Sequence, residues 1–336
     1  MPLRCHDLKL IGSLLAALGG CSSDPAHEGS TGVHSGSGGR QDFGNPSAGA
    51  SSRASDAGPV QHTPAAPPSL DGLTETEIGG YKLGPALKDA LDAGADIQNT
   101  ASGCSVMTAV ARDFRGSNET DGHPDFESFD GKGPTTGLVA EQLGSDGKPV
   151  YASHCEATPD RKLCPFGQMT TSKQAFDQWY RTTPGVNDAY VVYLMFEANG
   201  DVYTFQSDNF FPLDGSSTAT LPGKGNGKMK YQHDFGFTTE LHAEFLYRGG
   251  EQFSFTGDDD LWVFVNGKLA IDLGGLHPPA TGTLDLDDSA KDLGLKKGET
   301  YPLDLFHAER HTNASNFRVD TTLGFTACGE ITPEVF

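Results

Sequence analysis

The sequence predicts an all-β fold, an antiparallel sandwich or barrel with one or two short helices. Three observations predict it. Short runs rich in Val, Tyr, Phe and Leu recur along the chain. Glycine-rich turns separate them every ten or so residues. There is no strand–helix alternation and no repeat of fixed period.

Taken in order, Ser105 to Phe114 reads as a strand carrying Val106, Ala109, Val110 and Phe114. Ser172 to Tyr180 reads as a short helix capped by Thr171 or Ser172. Tyr190 to Phe196 and Val202 to Gln206 flank Asn199-Gly200, a hairpin signal. Phe235 to Tyr247 and Glu251 to Thr256 flank the turn Arg248-Gly249-Gly250. Leu261 to Val265 and Lys268 to Leu273 flank Asn266-Gly267, the clearest two-residue hairpin. Leu261, Val263 and Val265 face one way, Trp262 and Phe264 the other. A strand apolar on both faces is central and covered on both sides. Asp288 to Leu293 reads as a second short helix, with Asp285, Asp287 and Asp288 as capping residues. Tyr301 to Arg310 and Asn316 to Ala327 read as a final pair of strands.

Composition divides the chain of 336 residues into three parts. Residues 1–20 read as a lipoprotein signal peptide. The apolar run Leu10 to Leu18 is too short to span a bilayer and ends in Leu18-Gly19-Gly20-Cys21. That arrangement resembles a bacterial lipoprotein cleavage site, with Cys21 as the expected lipidation site and the outward-facing side of a bacterial cell envelope as the expected location. Residues 21–80 read as a disordered linker. Of the 49 residues from Ser22 to Leu70, 33 are Gly, Ser, Ala, Pro or Thr, and Phe43 is the only aromatic. Such a segment cannot offset its chain entropy by burial. As a flexible coil of about 59 residues it spans roughly 40–45 Å. Residues 81–336 read as the folded domain, with its core at 104–330.

Cys5 falls in the signal. Four cysteines remain, Cys104, Cys155, Cys164 and Cys328, an even number suited to disulfides outside the cytoplasm. Three pairings are open. Cys155–Cys164 closes a short loop, which leaves Cys104–Cys328 to tie the first strand to the last. Zinc is the competing use, but no CxxC pair is present. The net charge is −21, and residues 81–336 carry 37 acidic against 20 basic residues. That balance argues against nucleic acid as a partner. It suits divalent cations, and it also suits a soluble surface.

The most informative stretch runs from Gly257 to His277. Asp258, Asp259 and Asp260 are adjacent carboxylates, tolerated in a turn where solvent or a cation neutralises them. Hard oxygen ligands of this kind suit Ca2+ better than zinc or copper.

This run, followed by Phe306-His307-Ala308-Glu309-Arg310-His311 and Ser315-Asn316-Phe317, resembles the fibro-slime domain, a branch of the PA14 superfamily. Asp125-Phe126, Trp179-Tyr180 before Thr183-Pro184-Gly185-Val186-Asn187, Phe210-Phe211-Pro212-Leu213-Asp214 and Phe237-Thr238-Thr239-Glu240-Leu241-His242 agree, in order, across residues 104–330. The resemblance implies a PA14-like β-sandwich. It also implies a calcium site of the kind found in PA14 lectins, with sugar hydroxyls on the ion. Asp258 and Asp259 match the acidic pair there, with Asp260 as an alternate. Asn316, or else Asn313, matches the Asn supplied by a later loop.

Other constellations are weaker. His307, Glu309 and His311 alternate, and with His277 or His242 they could take zinc, with Glu309 then a base. The resemblance favours a structural role instead, with Glu309 and Arg310 pairing locally. Trp262 reads as core, and Trp179 and Tyr180 as helix-face packing. No nucleophile elbow, phosphate loop or dinucleotide fingerprint occurs. The expected function is therefore a non-enzymatic, calcium-dependent carbohydrate or matrix-binding module used in adhesion. The alternative is a structural matrix component that binds protein partners.

Overall fold

A computed structural model describes residues 77–78, 80–93, 104–152, 167–216, 233–311 and 314–331. The expected signal, Cys21, the linker up to residue 76, Cys155, Cys164 and Asn313 lie outside the described residues. The elements are β1 (Glu77–Ile78), β2 (Tyr81–Leu83), α1 (Pro85–Asp92), β3 (Val106–Phe114), α2 (Lys173–Asp177), β4 (Asn187–Met195), β5 (Glu197–Asn199), β6 (Val202–Ser207), β7 (Phe237–Leu246), β8 (Gln252–Gly257), β9 (Asp260–Val265), β10 (Lys268–Leu273), β11 (Ala280–Asp285), α3 (Leu286–Leu293), β12 (Thr300–Glu309), β13 (Phe317–Thr321) and β14 (Phe325–Ala327).

The strands form two sheets. The larger runs β1-β2-β4-β3-β7-β12-β9-β10, with β14 also on β7, and the smaller runs β11-β8-β13-β6-β5. Every pairing is antiparallel except β2 with β4. The period-two pattern of β9 explains the layering. Leu261, Val263 and Val265 enter the inter-sheet core with Phe253, Phe255, Phe317 and Val319. Trp262 and Phe264 enter a second core on the outer face, with Phe126, Leu138, Phe176 and Trp179. Burying side chains of this size contributes roughly 1.5–3 kcal/mol each. The β9–β10 hairpin turns as its Asn-Gly requires, with positive φ at Asn266 and Gly267.

Several connections differ from the sequence reading. Tyr190 to Gln206 is not one hairpin. β4 ends at Met195, the chain crosses sheets at buried Phe196, and only β5 pairs with β6. Arg248-Gly249-Gly250 also joins strands of different sheets, with the Glu251 carboxylate accepting from the Arg248 and Gly249 amides at 2.6 and 2.7 Å. The last two segments do not pair with each other. β12 lies between β7 and β9, β13 between β6 and β8, and β14 on β7. Each is a long-range pairing chosen by burial, which no local pattern announces.

Among the described residues three helices form where one or two were expected, because α1 packs Leu87 against Val110 and Val191 of the large sheet. The sheet also begins at Glu77, inside the segment assigned to the linker, because Ile78 and Tyr81 bury against that helix and sheet. Ser172 caps α2 by accepting from the Ala175 amide, and Asp285 caps α3 by accepting from Asp287 and Asp288. α2 stops at Asp177, so Trp179 and Tyr180 are buried from the turn after it, not from its face. Cys104 and Cys328 form a disulfide.

On the outer face, Glu240 and His242 of β7 meet Arg112 of β3, Asp304 of β12 and Lys148. Arg112 pairs with Glu240 at 2.7 Å, and His242 bridges Glu240 at 2.5 Å and Asp304 at 2.6 Å. Burial opposes a charge on His242, but Glu240 and Asp304 overcome it and raise the imidazole from 6.5 to about 9. The folded state therefore binds this proton more tightly than the unfolded chain does. Its stabilising contribution is fully present below about pH 6.5 and is lost as pH rises through about 9, a change on the order of 3 kcal/mol. Denaturation midpoints at pH 6 and pH 10 should converge in His242→Gln. An unchanged difference between the two pH values would remove this role.

Candidate functional site

The site arises where two chain crossings lie side by side. β8 ends at Gly257 in the small sheet and β9 begins at Asp260 in the large one, so Asp258 and Asp259 span the rim between them. β12 ends at Glu309 in the large sheet and β13 begins at Phe317 in the small one, so a second crossing meets the same rim. Register fixes this adjacency, since Ala308 pairs with Asp260 and Phe317 with Gly257. Gly257 is needed for the approach, because a Cβ there would lie 2.4 Å from the Asn316 carbonyl oxygen.

The three adjacent carboxylates have different partners. Asp258 accepts from the Asn316 amide N at 2.6 Å and from its side-chain Nδ2 at 2.9 Å. Its carbonyl accepts from His307 Nε2 at 3.0 Å. Asp259 accepts from the Arg310 amide at 3.0 Å. Asp260 is taken up entirely by structure, with Arg310 Nε at 2.7 Å on one oxygen and the Gly275 amide at 2.6 Å on the other. Each oxygen of Asp260, the alternate ligand, thus accepts a hydrogen bond within the fold. All three are buried.

Alternation along β12 decides the rest. His307 and Glu309 point between the sheets, where His307 is ringed by Phe210, Phe237, Phe255 and Phe317. Arg310 points the other way. It donates to the carbonyls of Asp125 and Met169 at 3.1 and 2.9 Å and lies 4.4 Å from the Trp179 ring centre. The expected local pairing of Glu309 with Arg310 is therefore replaced by Arg310 with Asp260, since neighbours on a strand face opposite sides. Glu309 instead joins Asp258 and Asp259.

Electrostatics follow from this burial. The Asp259 carboxyl is pushed up to about 6, first by burial and then by Asp260. The Glu309 carboxyl is pushed well above its usual range by burial, then by Asp259 and Asp258. His307 falls to about 4 through burial and stays neutral.

The zinc grouping does not assemble. His242 is on the outer face with Glu240 and Asp304, opposite to His307. His311 lies beyond the strand, 3.7 Å from Asp130. His277 faces the carbonyl oxygens of Leu273 and Pro278 at 3.0 and 2.9 Å. Among the described residues, no three His, Cys, Asp or Glu side chains form a ready-made metal cage. Asp258, Asp259 and Asn316 are hard-oxygen donors of the calcium type, and a rotation of the Asn316 amide would turn its oxygen to the carboxylates. Sequence reasoning missed Arg310 and Asp125 as the buried support of this turn. Asp125 accepts from Trp179 Nε1 at 3.0 Å and from Thr170 and the Thr171 amide at 2.7 Å each. A lone Asp before Phe126 carries no signal of that role.

Residues 227–335 match the PA14 domain family. Protein psiD of Dictyostelium discoideum is 39% identical over 204 residues, covering 59% of this chain and 39% of psiD. Protein psiR of the same organism is 35% identical over 239 residues, covering 69% of this chain and 22% of psiR. The chain thus spans well under half the length of these relatives. A solved PA14 sugar-binding domain from an RTX adhesin is 14% identical, covering 40% of this chain and 76% of that one, with a TM-score of 0.22. That likeness is too slight to place any residue.

Proposed function

We propose that this chain, whose residues 227–335 match the PA14 domain family, is an extracellular adhesion or recognition module that binds carbohydrate through calcium. The observation that carries the proposal is the convergence of Asp258, Asp259 and Asn316 at one rim of the sandwich. These residues would hold Ca2+, which would supply a Lewis-acidic centre for vicinal sugar hydroxyls. The exposed segment at Ala314 beside Asn316 is where a glycan would approach. Lipidation at Cys21, with the residues up to 76 as a tether, would display the domain on the cell surface. Fractionation of wild type against Cys21→Ser tests that setting.

The test is a comparison of wild type and Asp259→Ala. Wild type should melt several degrees higher in calcium than in chelator and bind glycans only in calcium. Asp259→Ala should lose both responses. Wild type that melts identically with and without calcium would remove the metal from the reading. One observation favours a second reading, in which the ion only stiffens the rim: Asp258 and Asp259 are 5% and 7% exposed. Calcium stabilisation without glycan binding would select it.

A further inference from the structure

The outward face of the small sheet is polar because its strands alternate. Phe253, Phe255, Leu284 and Val319 turn into the inter-sheet core. Gln252, Ser254, Thr283, Asp285 and Asp320 therefore turn to the other side. Register sets them next to one another, with Ser254 between Thr283 and Asp320, and Gln252 opposite Asp285. Together with Val202 of β6 they line a hollow of about 420 Å³. That volume lies in the range that small-molecule sites occupy.

The carboxylates of the hollow are already engaged. Arg318 donates to Asp320 through Nε at 2.5 Å and Nη2 at 2.8 Å. Asp285 accepts from the Asp287 and Asp288 amides at the start of α3. Among the described residues, no basic side chain lines the hollow, so an anion finds no counter-charge there. The Ser254 and Thr283 hydroxyls, by contrast, have no hydrogen-bond partner among the described residues. Val202 is 37% exposed and offers an aliphatic wall. Unspent hydroxyls beside an aliphatic wall match the hydroxyl edge and the C–H face of an uncharged sugar.

The place of the hollow in the fold points the same way. Thr256 and Arg318 carry this polar face up to Gly257 and Phe317, where the rim of Asp258 and Asn316 begins. From Gln252 to Gly257, β8 spans six residues, roughly 17 Å at about 3.3 Å per step. Several linked sugar units bridge such a distance. We propose that the hollow is a second carbohydrate subsite, and that an uncharged oligosaccharide held at the rim runs along β8 into it. This rests on the carbohydrate reading above and deepens it, giving the module a preference for chains over single sugars.

Calorimetric titration of the full chain in calcium tests this with glucose, mannose and their linear oligosaccharides, and with oligogalacturonate as the charged probe. Wild type should bind the longer uncharged chains about tenfold more tightly than the single sugar, the worth of two added hydrogen bonds. In the double variant Ser254→Ala with Thr283→Val, the ratio of chain to single-sugar affinity should collapse toward unity. Each single variant should lose part of the ratio and carries the test should the pair fail to fold. Wild type that binds chains no better than single sugars, or a ratio that survives in the double variant, would overturn the subsite and leave the rim reading standing. Oligogalacturonate should gain nothing with length, and an equal gain would overturn the uncharged ligand class. Wild type that binds no saccharide of any length would overturn both the subsite and the rim reading.

Discussion

Replacing Arg310 by Ala is expected to cost about 3–5 kcal/mol of stability, the usual result of removing one partner of a buried ion pair. Both Arg310 and Asp260 are fully buried, and they meet at 2.7 Å. Truncation leaves Asp260 with the Gly275 amide alone and strips the donor from the Asp125 and Met169 carbonyls. It also empties the space beside the Trp179 ring. Most of the loss comes from the orphaned carboxylate rather than from attraction forgone, because the pair was itself costly to desolvate. Asp260→Asn added to an Arg310→Met background should therefore recover part of the loss. Arg310→Lys should fall between, keeping charge but losing the planar fork and the stacking. Urea denaturation of the four proteins measures all of this. A loss below about 1 kcal/mol in Arg310→Ala would mean that water reaches Asp260 and that the pair is not structural.

Joint replacement of Cys104 and Cys328 by Ala should cost about 2–5 kcal/mol, and the loss should lie toward the upper end. The bond joins positions 224 apart in sequence, so it constrains nearly the whole domain in the unfolded state. It also fixes the C-terminal segment against β3, where the Thr108 amide donates to the Cys328 carbonyl at 3.2 Å and the Thr108 hydroxyl to that of Gly329 at 2.5 Å. The double variant avoids exposing a single free thiol. Thermal and chemical denaturation under non-reducing conditions give the comparison. A variant as stable as wild type would show that β14 is held by its pairing with β7 and by nothing covalent.

The hairpin β9–β10 was legible because its signals are local. Asn266-Gly267 sets the turn, and alternation assigns Leu261, Val263 and Val265 to one core and Trp262 and Phe264 to the other. Ser172 and Asp285 were legible as caps for the same reason. The acidic rim was legible in part. Adjacent Asp residues signal a cation or a solvated turn, but nothing local distinguishes Asp260, spent on Arg310, from Asp258 and Asp259. Glu309 was visible only as one of an alternating His-Glu-His run. Its surroundings are set by the pairing of β12 with β9, a strand about 40 residues earlier in the chain.

By itself, then, the sequence determined the strand periodicity, the tight turns, the helix caps and the class of fold. Those follow from φ/ψ preferences and from side chains that alternate every residue. Only the tertiary structure decided which strands share a sheet and which carboxylates share a rim. A consecutive pair such as β12 and β13 pays little entropy to meet, yet each finds more apolar surface elsewhere. The choice between partners is made by burial summed over both cores, and no single segment contains it.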